Sequence, residues 1–286
     1  MLRCKEFLHC GAGMPFSYLR ALSESKRTRR ANIHLGVSLA FVAGAINAGG
    51  FLAVLQYTSH MTGIVSSMAD NLILNNMAAV ATGLASLVAF VAGSAYSTVL
   101  INWGRHHRMR SAYAYPLFWE ALLLLCFGMM GNVLESHQAL FAPLTVLLLC
   151  FIMGLQNAII TKVSNSEIRT THMTGIVTDI GIELGKLVYI NSQEESARYK
   201  PVRTNWQRLA LLASLLLSFF LGGAAGAVGF KVAGYVTTIP LAVFLILLAI
   251  VPLVDDARTR TRLFLRYHAH GRRAGRSRSL RKYQVR

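Results

Sequence analysis

The sequence is short of charge: 14% of its 286 residues are Asp, Glu, Lys or Arg, against 54% hydrophobic. That balance excludes an ordinary soluble domain, in which about a quarter of the residues are charged. Acidic groups are scarcest, with 12 Asp and Glu against 29 Lys and Arg. The four cysteines support no disulfide framework, because Cys126 and Cys150 fall in apolar runs and Cys4 and Cys10 in a basic arm. Cys4, His9 and Cys10 lack the spacing of a zinc site, so no metal is expected. No recognisable nucleophile motif occurs either, which argues against an enzyme and gives no reason to expect a cofactor. Residues 1–30 have no apolar core long enough for a secretory signal, so the N-terminus is expected to be retained.

Long apolar runs are what the chain does have. A helix crosses the hydrocarbon core with about 20 apolar residues, since every backbone polar group must be satisfied within the segment. Six stretches meet that length, near 33–56, 79–103, 115–135, 139–161, 207–230 and 233–254. Two shorter ones, 61–76 and 173–190, carry Asp70, Asp179, Glu183 and Lys186, which lipid does not tolerate. These two are expected to dip into the membrane as short or discontinuous helices. Seven Lys and Arg precede residue 33 and eleven follow residue 254, so a basic arm (1–32) and an Arg-rich tail (255–286) flank the membrane part.

Charge then fixes topology. With six spans and both termini cytoplasmic, the loops holding Arg105, Arg108 and Arg110, Lys162 and Arg169, and Arg198 to Arg208 all face the cytoplasm, leaving only Lys231 outside. Eight full spans would place Arg105, Arg108, Arg110, Lys162, Arg169 and Lys231 outside. The six-span arrangement in a bacterial inner membrane is therefore expected. The tail suits anionic lipid at the cytoplasmic face; no specific nucleic-acid partner is expected of it, since any such tail binds RNA loosely at low salt.

The chain also repeats itself. Phe41-Val-Ala-Gly44-Ala-Ile-Asn47-Ala48 aligns with Phe151-Ile-Met-Gly154-Leu-Gln-Asn157-Ala158, and His60-Met61-Thr62-Gly63-Ile64-Val65 is identical to His172-Met173-Thr174-Gly175-Ile176-Val177. Repeat 1 (33–135) and repeat 2 (139–254) each read as span, dipping segment, span, span. Three crossings is odd, so the second repeat enters from the opposite side. The expected fold class is thus an all-α membrane protein of six transmembrane helices and two dipping segments in two inverted repeats, a layout of many secondary transporters.

The candidate ligand or ion pathway follows from the motif segments. Thr62, Ser66 and Asp70 recur every four residues, and Thr174 and Thr178 repeat the stripe before Asp179 and Glu183. Thr62 and Thr174 suit helix N-caps, while Gly63 and Gly175 allow close backbone approach. Helix starts converging at the midplane would favour an anionic group; Asp70, Asp179 and Glu183 could instead serve a cation or proton. His60 and His172 fit a structural hydrogen bond, proton transfer or ligand contact. Asn47 and Asn157 fit ligand binding or interhelical bonding. Glu120, four residues after Pro116, is close enough to the interface for solvation to explain it.

The paired motifs Thr58 to Asp70 and Ile168 to Gly185 resemble those of the YoaK family of bacterial membrane proteins, over roughly residues 33–254. Where many members carry Asp-Ala and Thr-Gly-Asn, this chain has Asn47-Ala48, Thr62-Gly63-Ile64 and Thr174-Gly175-Ile176. The resemblance implies a bacterial cytoplasmic-membrane location and brings no established substrate. From the architecture, the expected function is transport of a small solute or ion, with a non-transporting partner-binding membrane protein as the alternative and an intramembrane enzyme third.

Overall fold

A computed structural model describes residues 29–107, 109, 112–136, 138–163, 173–189, 201–250 and 253–254. The basic arm before residue 29, the tail from 255 onward and His172 lie outside the described residues. Among those described, the regular structure is helical: α1 (Arg29–Val54), α2 (Met61–Ile73), α3 (Met77–His106), α4 (Ala114–Ser136), α5 (Gln138–Val163), α6 (Met173–Val188), α7 (Trp206–Ala233), a 3-10 turn (Gly234–Thr237) and α8 (238–250).

Local chemistry explains where the helices stop and start. Asn75 takes a positive φ of 56°, a conformation Asn tolerates better than most residues, and turns the chain after α2. Asn76 then caps α3 by accepting from Ala79 N at 3.3 Å. Asn205 does the same for α7, accepting from Arg208 N at 3.1 Å. Gly234, at φ 58°, ends α7 in a backbone region that a Cβ disfavours. Beyond it the chain folds back, because the Cβ position of Gly229 lies 2.5 Å from Thr237 Cγ2.

Five helical stretches are long and apolar enough to cross a membrane: Asn32–Val54, Met77–His106, Ala114–Gly131, Phe141–Lys162 and the 45-residue Trp206–Ile250, which the Gly234 turn divides. The protein is a multi-pass helical membrane protein. By contrast α2 and α6, with 13 and 16 residues, span about 20 and 24 Å at ~1.5 Å per residue, short of the ~30 Å hydrocarbon core.

Four Phe-x-x-Gly sequences set the packing. The Cβ position of Gly44 on α1 is 2.1 Å from Phe219 O on α7, and that of Gly222 on α7 is 2.0 Å from Phe41 O on α1. The same reciprocal contact joins α3 and α5: the Cβ position of Gly93 is 2.1 Å from Phe151 O and that of Gly154 is 2.1 Å from Phe90 O. Only glycine lets backbones approach this closely, and small-residue crossings are the usual means of joining helices where lipid removes the hydrophobic drive. Ser94 Oγ adds a 2.9 Å bond to Gly154 O.

The order of contacts gives the directions. Val37, Phe41 and Ala45 of α1 meet Ser218, Gly222 and Gly226 of α7 in step, so these two run parallel. Ser86 and Phe90 of α3 meet Cys150 and Gly154 of α5 in step, and these also run parallel. Between the pairs the sense reverses: Gln156 Nε2 donates to Leu39 O at 3.0 Å, while Leu149 approaches Gly50. Thus α3 begins at the end of the bundle where α1 finishes, and α7 begins where α1 begins. The core shared by these helices includes Leu39, Ile46, Ile101, Leu117, Phe127, Met153 and Leu245.

Candidate functional site

The short helices point away from a common cavity. Their first residues, Met61 and Thr62 of α2 and Met173 and Thr174 of α6, line a space of about 530 Å³ together with Asn47, Asn157, Tyr57, Ser59, His60, Phe90 and Phe219. That volume suits a small ligand. From the cavity α2 runs to the start of α3, whereas the far end of α6 meets Asn205 at the start of α7, the opposite end of the bundle. Two helix N-termini, with their unbonded N–H groups and partial positive charge, therefore converge from opposite directions.

The walls come in matching pairs: Asn47 with Asn157, Met61 with Met173, Thr62 with Thr174, and Phe90 with Phe219, whose backbones form the two glycine crossings. Their hydrogen bonding differs. Asn47 Oδ1 accepts from Ser59 Oγ at 2.9 Å, while Asn157 Oδ1 is buried without a partner. A second space of about 490 Å³, between α2 and α3, shares Tyr57 and His60 with the first, so those two side chains stand between the cavities.

Thr62 is not the cap of its helix. The first intrahelical bond is Ile64 N to His60 O at 3.1 Å, which makes His60 the N-cap and Thr62 the second helical residue. The physical reason is Gly63: its missing Cβ leaves room for the His60 ring, whose Nδ1 would lie 2.6 Å from that atom, to fold over the first turn. Helix α6 likewise begins at Met173, so Thr174 is also one residue inside.

The structure brings Asn47, His60, Thr62, Asn157 and Thr174 to the central cavity and Gly63 to the adjoining one. Gly175 faces open space, with nothing within 4 Å of its Cβ position. Ser66 and Asp70 are exposed on α2, and Thr178 Oγ1 bonds back to Thr174 O at 2.9 Å. Asp179 and Glu183 instead clasp α6 to the head of α7. Glu183, almost fully buried, accepts from Lys186 Nζ at 2.9 Å and from Asn205 N at 2.9 Å, and Arg208 Nη2 reaches Asp179 Oδ2 at 3.0 Å. The Lys186 ammonium and then the Asn205 N–H hold the Glu183 carboxyl below the usual carboxylate range.

Glu120 is the residue that proximity to the interface misplaces. It is fully buried by protein, and neither carboxylate oxygen has a hydrogen-bond partner. The sequence does carry a signal: Tyr113, Leu117, Glu120, Leu124 and Phe127 follow at helical spacing, and all five are buried. Tyr57, Ser59, Phe90 and Phe219 were equally unmarked, lying outside the aligned repeat segments. Among the described residues no group of three or more His, Cys, Asp or Glu could hold a metal.

Neither a curated protein nor a solved structure matches the chain. One family model matches residues 35–251, which contain α2 to α8, most of α1 and every residue of both cavities. The chain therefore belongs to the family described as "Protein of unknown function (DUF1275)", of which the YoaK proteins are members.

Proposed function

We propose that this protein is a small-solute or ion transporter of the bacterial inner membrane, built from two inverted repeats with six crossings and both termini cytoplasmic. One observation carries the proposal: a single cavity lined by the same positions of both halves, at the inner ends of two half-length helices that leave it in opposite directions. Discontinuous helices meeting at such a site are how inverted-repeat transporters bind solutes near the midplane. The reciprocal Phe-x-x-Gly crossings support the same reading, since each repeat supplies one member of both pairs. The proposal includes no chemical conversion of the solute. Asn and Thr side chains together with helix N-termini suit a solute with an anionic or hydrogen-bond-accepting group.

Thermal unfolding of the detergent-purified protein against a panel of small anions, cations and metabolites tests it, because a ligand bound to the native state raises stability by mass action. The expected result is a saturable shift that a Thr62→Val, Thr174→Val double variant loses while keeping its unliganded midpoint. Both threonines are exposed to the cavity, so the isosteric change leaves packing intact. A panel without any shift would favour the non-transporting, partner-binding alternative.

A further inference from the structure

Glu120 has no place in the cavity described above, yet it is the most exacting group in the membrane core. Its side chain is fully buried on α4, and both Oε1 and Oε2 lack a hydrogen-bond partner. An ionised carboxylate there would have neither solvent nor a counter-charge, a state proteins avoid.

The helix register gives the residues at its level. Tyr113 OH donates to Lys162 O at 3.3 Å, and α4 ends at Ser136 two residues before α5 begins at Gln138, so the two are antiparallel and residue 120 lies about level with 155 and 156. At that level Gln156 is fully buried, with Nε2 bonded to Leu39 O and Oε1 unpartnered. Ser97, three residues along α3 from the Ser94 to Gly154 bond, is also fully buried with an unpartnered hydroxyl oxygen. Gln156 adjoins Asn157, which lines the cavity and whose own Oδ1 is buried without a partner. One layer thus holds several buried side-chain oxygens without a partner.

The elements against α4 supply no cation that bonds to Glu120. α3 carries Tyr96, Arg105 and His106, α5 carries Cys150 and Lys162, α7 carries Arg208 and Lys231, and the 3-10 turn carries Tyr235; α4 itself has Tyr115, Cys126 and Glu135, with Tyr113 just before it, and α8 has no titratable residue. None bonds to Glu120. Arg105 is engaged with Tyr113 OH two turns away. Among the described residues Glu120 is not in any group of three or more side chains that could hold a metal ion.

We propose that Glu120 is a proton-binding site, taking up and releasing a proton at the level of the cavity residue Asn157. A protonated carboxyl removes the buried charge and carries an O–H that can donate to an unpartnered oxygen. On the transport reading above, on which this clause alone rests, the proton is the coupling ion.

Infrared spectroscopy of the purified full chain tests the site without any solute. Wild type at neutral pH is expected to show the C=O stretch of a protonated carboxylic acid, and transfer to deuterium oxide is expected to shift it within minutes. Glu120→Gln, equal in shape, is expected to lose the band while keeping its helical circular dichroism. Should that variant misfold, carbon-13 labelling of glutamate in the wild type must move the band and labelling of aspartate must not. No band in folded wild type, a band that survives Glu120→Gln or ignores glutamate labelling, or one that never responds to deuterium oxide overturns the proposal. Any of those results leaves the transport reading to be decided by the solute panel.

Discussion

At the residue scale the decisive side chains are the missing ones. A methyl group at Gly44, Gly93, Gly154 or Gly222 would fall 2.0–2.1 Å from a backbone oxygen of the partner helix, and backbone cannot swing aside as a flexible side chain does. Overpacking of this kind costs about 1–3 kcal/mol or more. Gly154→Ala and Gly222→Ala are therefore expected to lower the unfolding midpoint in detergent. Gly181 and Gly185 have nothing within 4 Å of their Cβ positions, so alanine there only lowers the backbone entropy of the unfolded chain. Each is expected to be neutral or to stabilise by up to about 1 kcal/mol. An unchanged midpoint in Gly154→Ala would refute the close crossing of α3 and α5. Gly44 and Gly154 were visible in the sequence as part of the repeat. Their partners Gly93 and Gly222 were not, because only the Phe-x-x-Gly spacing is shared there and spacing alone does not say which helices meet.

At the element scale the two short helices are held differently. α2 packs on α3 through Met68 and Ile64 against Gly83, and its end is tied by Asn71 to Ser67 and by Asn76 to Asn71. α6 depends on the Glu183 clasp. The Arg208 to Asp179 pair is half-exposed and contributes little, as such pairs do, so the bonds to buried Glu183 decide. Its carboxyl is held below the usual carboxylate range in the folded state. Its stabilisation is therefore complete above the unfolded value of ~4.3 and is lost as pH falls through the folded one. Hydrogen exchange is expected to show α6 losing protection under acid, with α7 unaffected. Glu183→Gln is expected to show the same loss at neutral pH. Equal protection of 173–188 in that variant would mean the clasp does not hold α6. Hydropathy placed all eight helical segments to within a few residues, since length and apolar content suffice for that. It did not assign Asp179 and Glu183 to a clasp rather than the cavity, because the partner residues Asn205 and Arg208 lie across a stretch whose course no periodicity reveals.

At the scale of the whole molecule, charge and contact order bear on the same question. Arg105 and Lys162 meet through Tyr113 at one end of the bundle, and the parallel register of α1 with α7 brings Arg208 and the start of α1 to that same end. Lys231, at the far end of α7, and the link between α2 and α3 lie at the other. A protein obeying the positive-inside rule would then keep the basic end in the cytoplasm. Single cysteines in a background with the four native ones replaced by serine test this. Leu74→Cys and Lys231→Cys, both at exposed positions, are expected to react with a membrane-impermeant maleimide added to spheroplasts. His107→Cys is expected to react only after the membrane is opened. If His107→Cys and Leu74→Cys were labelled from the same side, α3 would not cross. Six crossings and the inverted relation of the halves would both fall, and with them the reason to place a transport site where α2 and α6 meet.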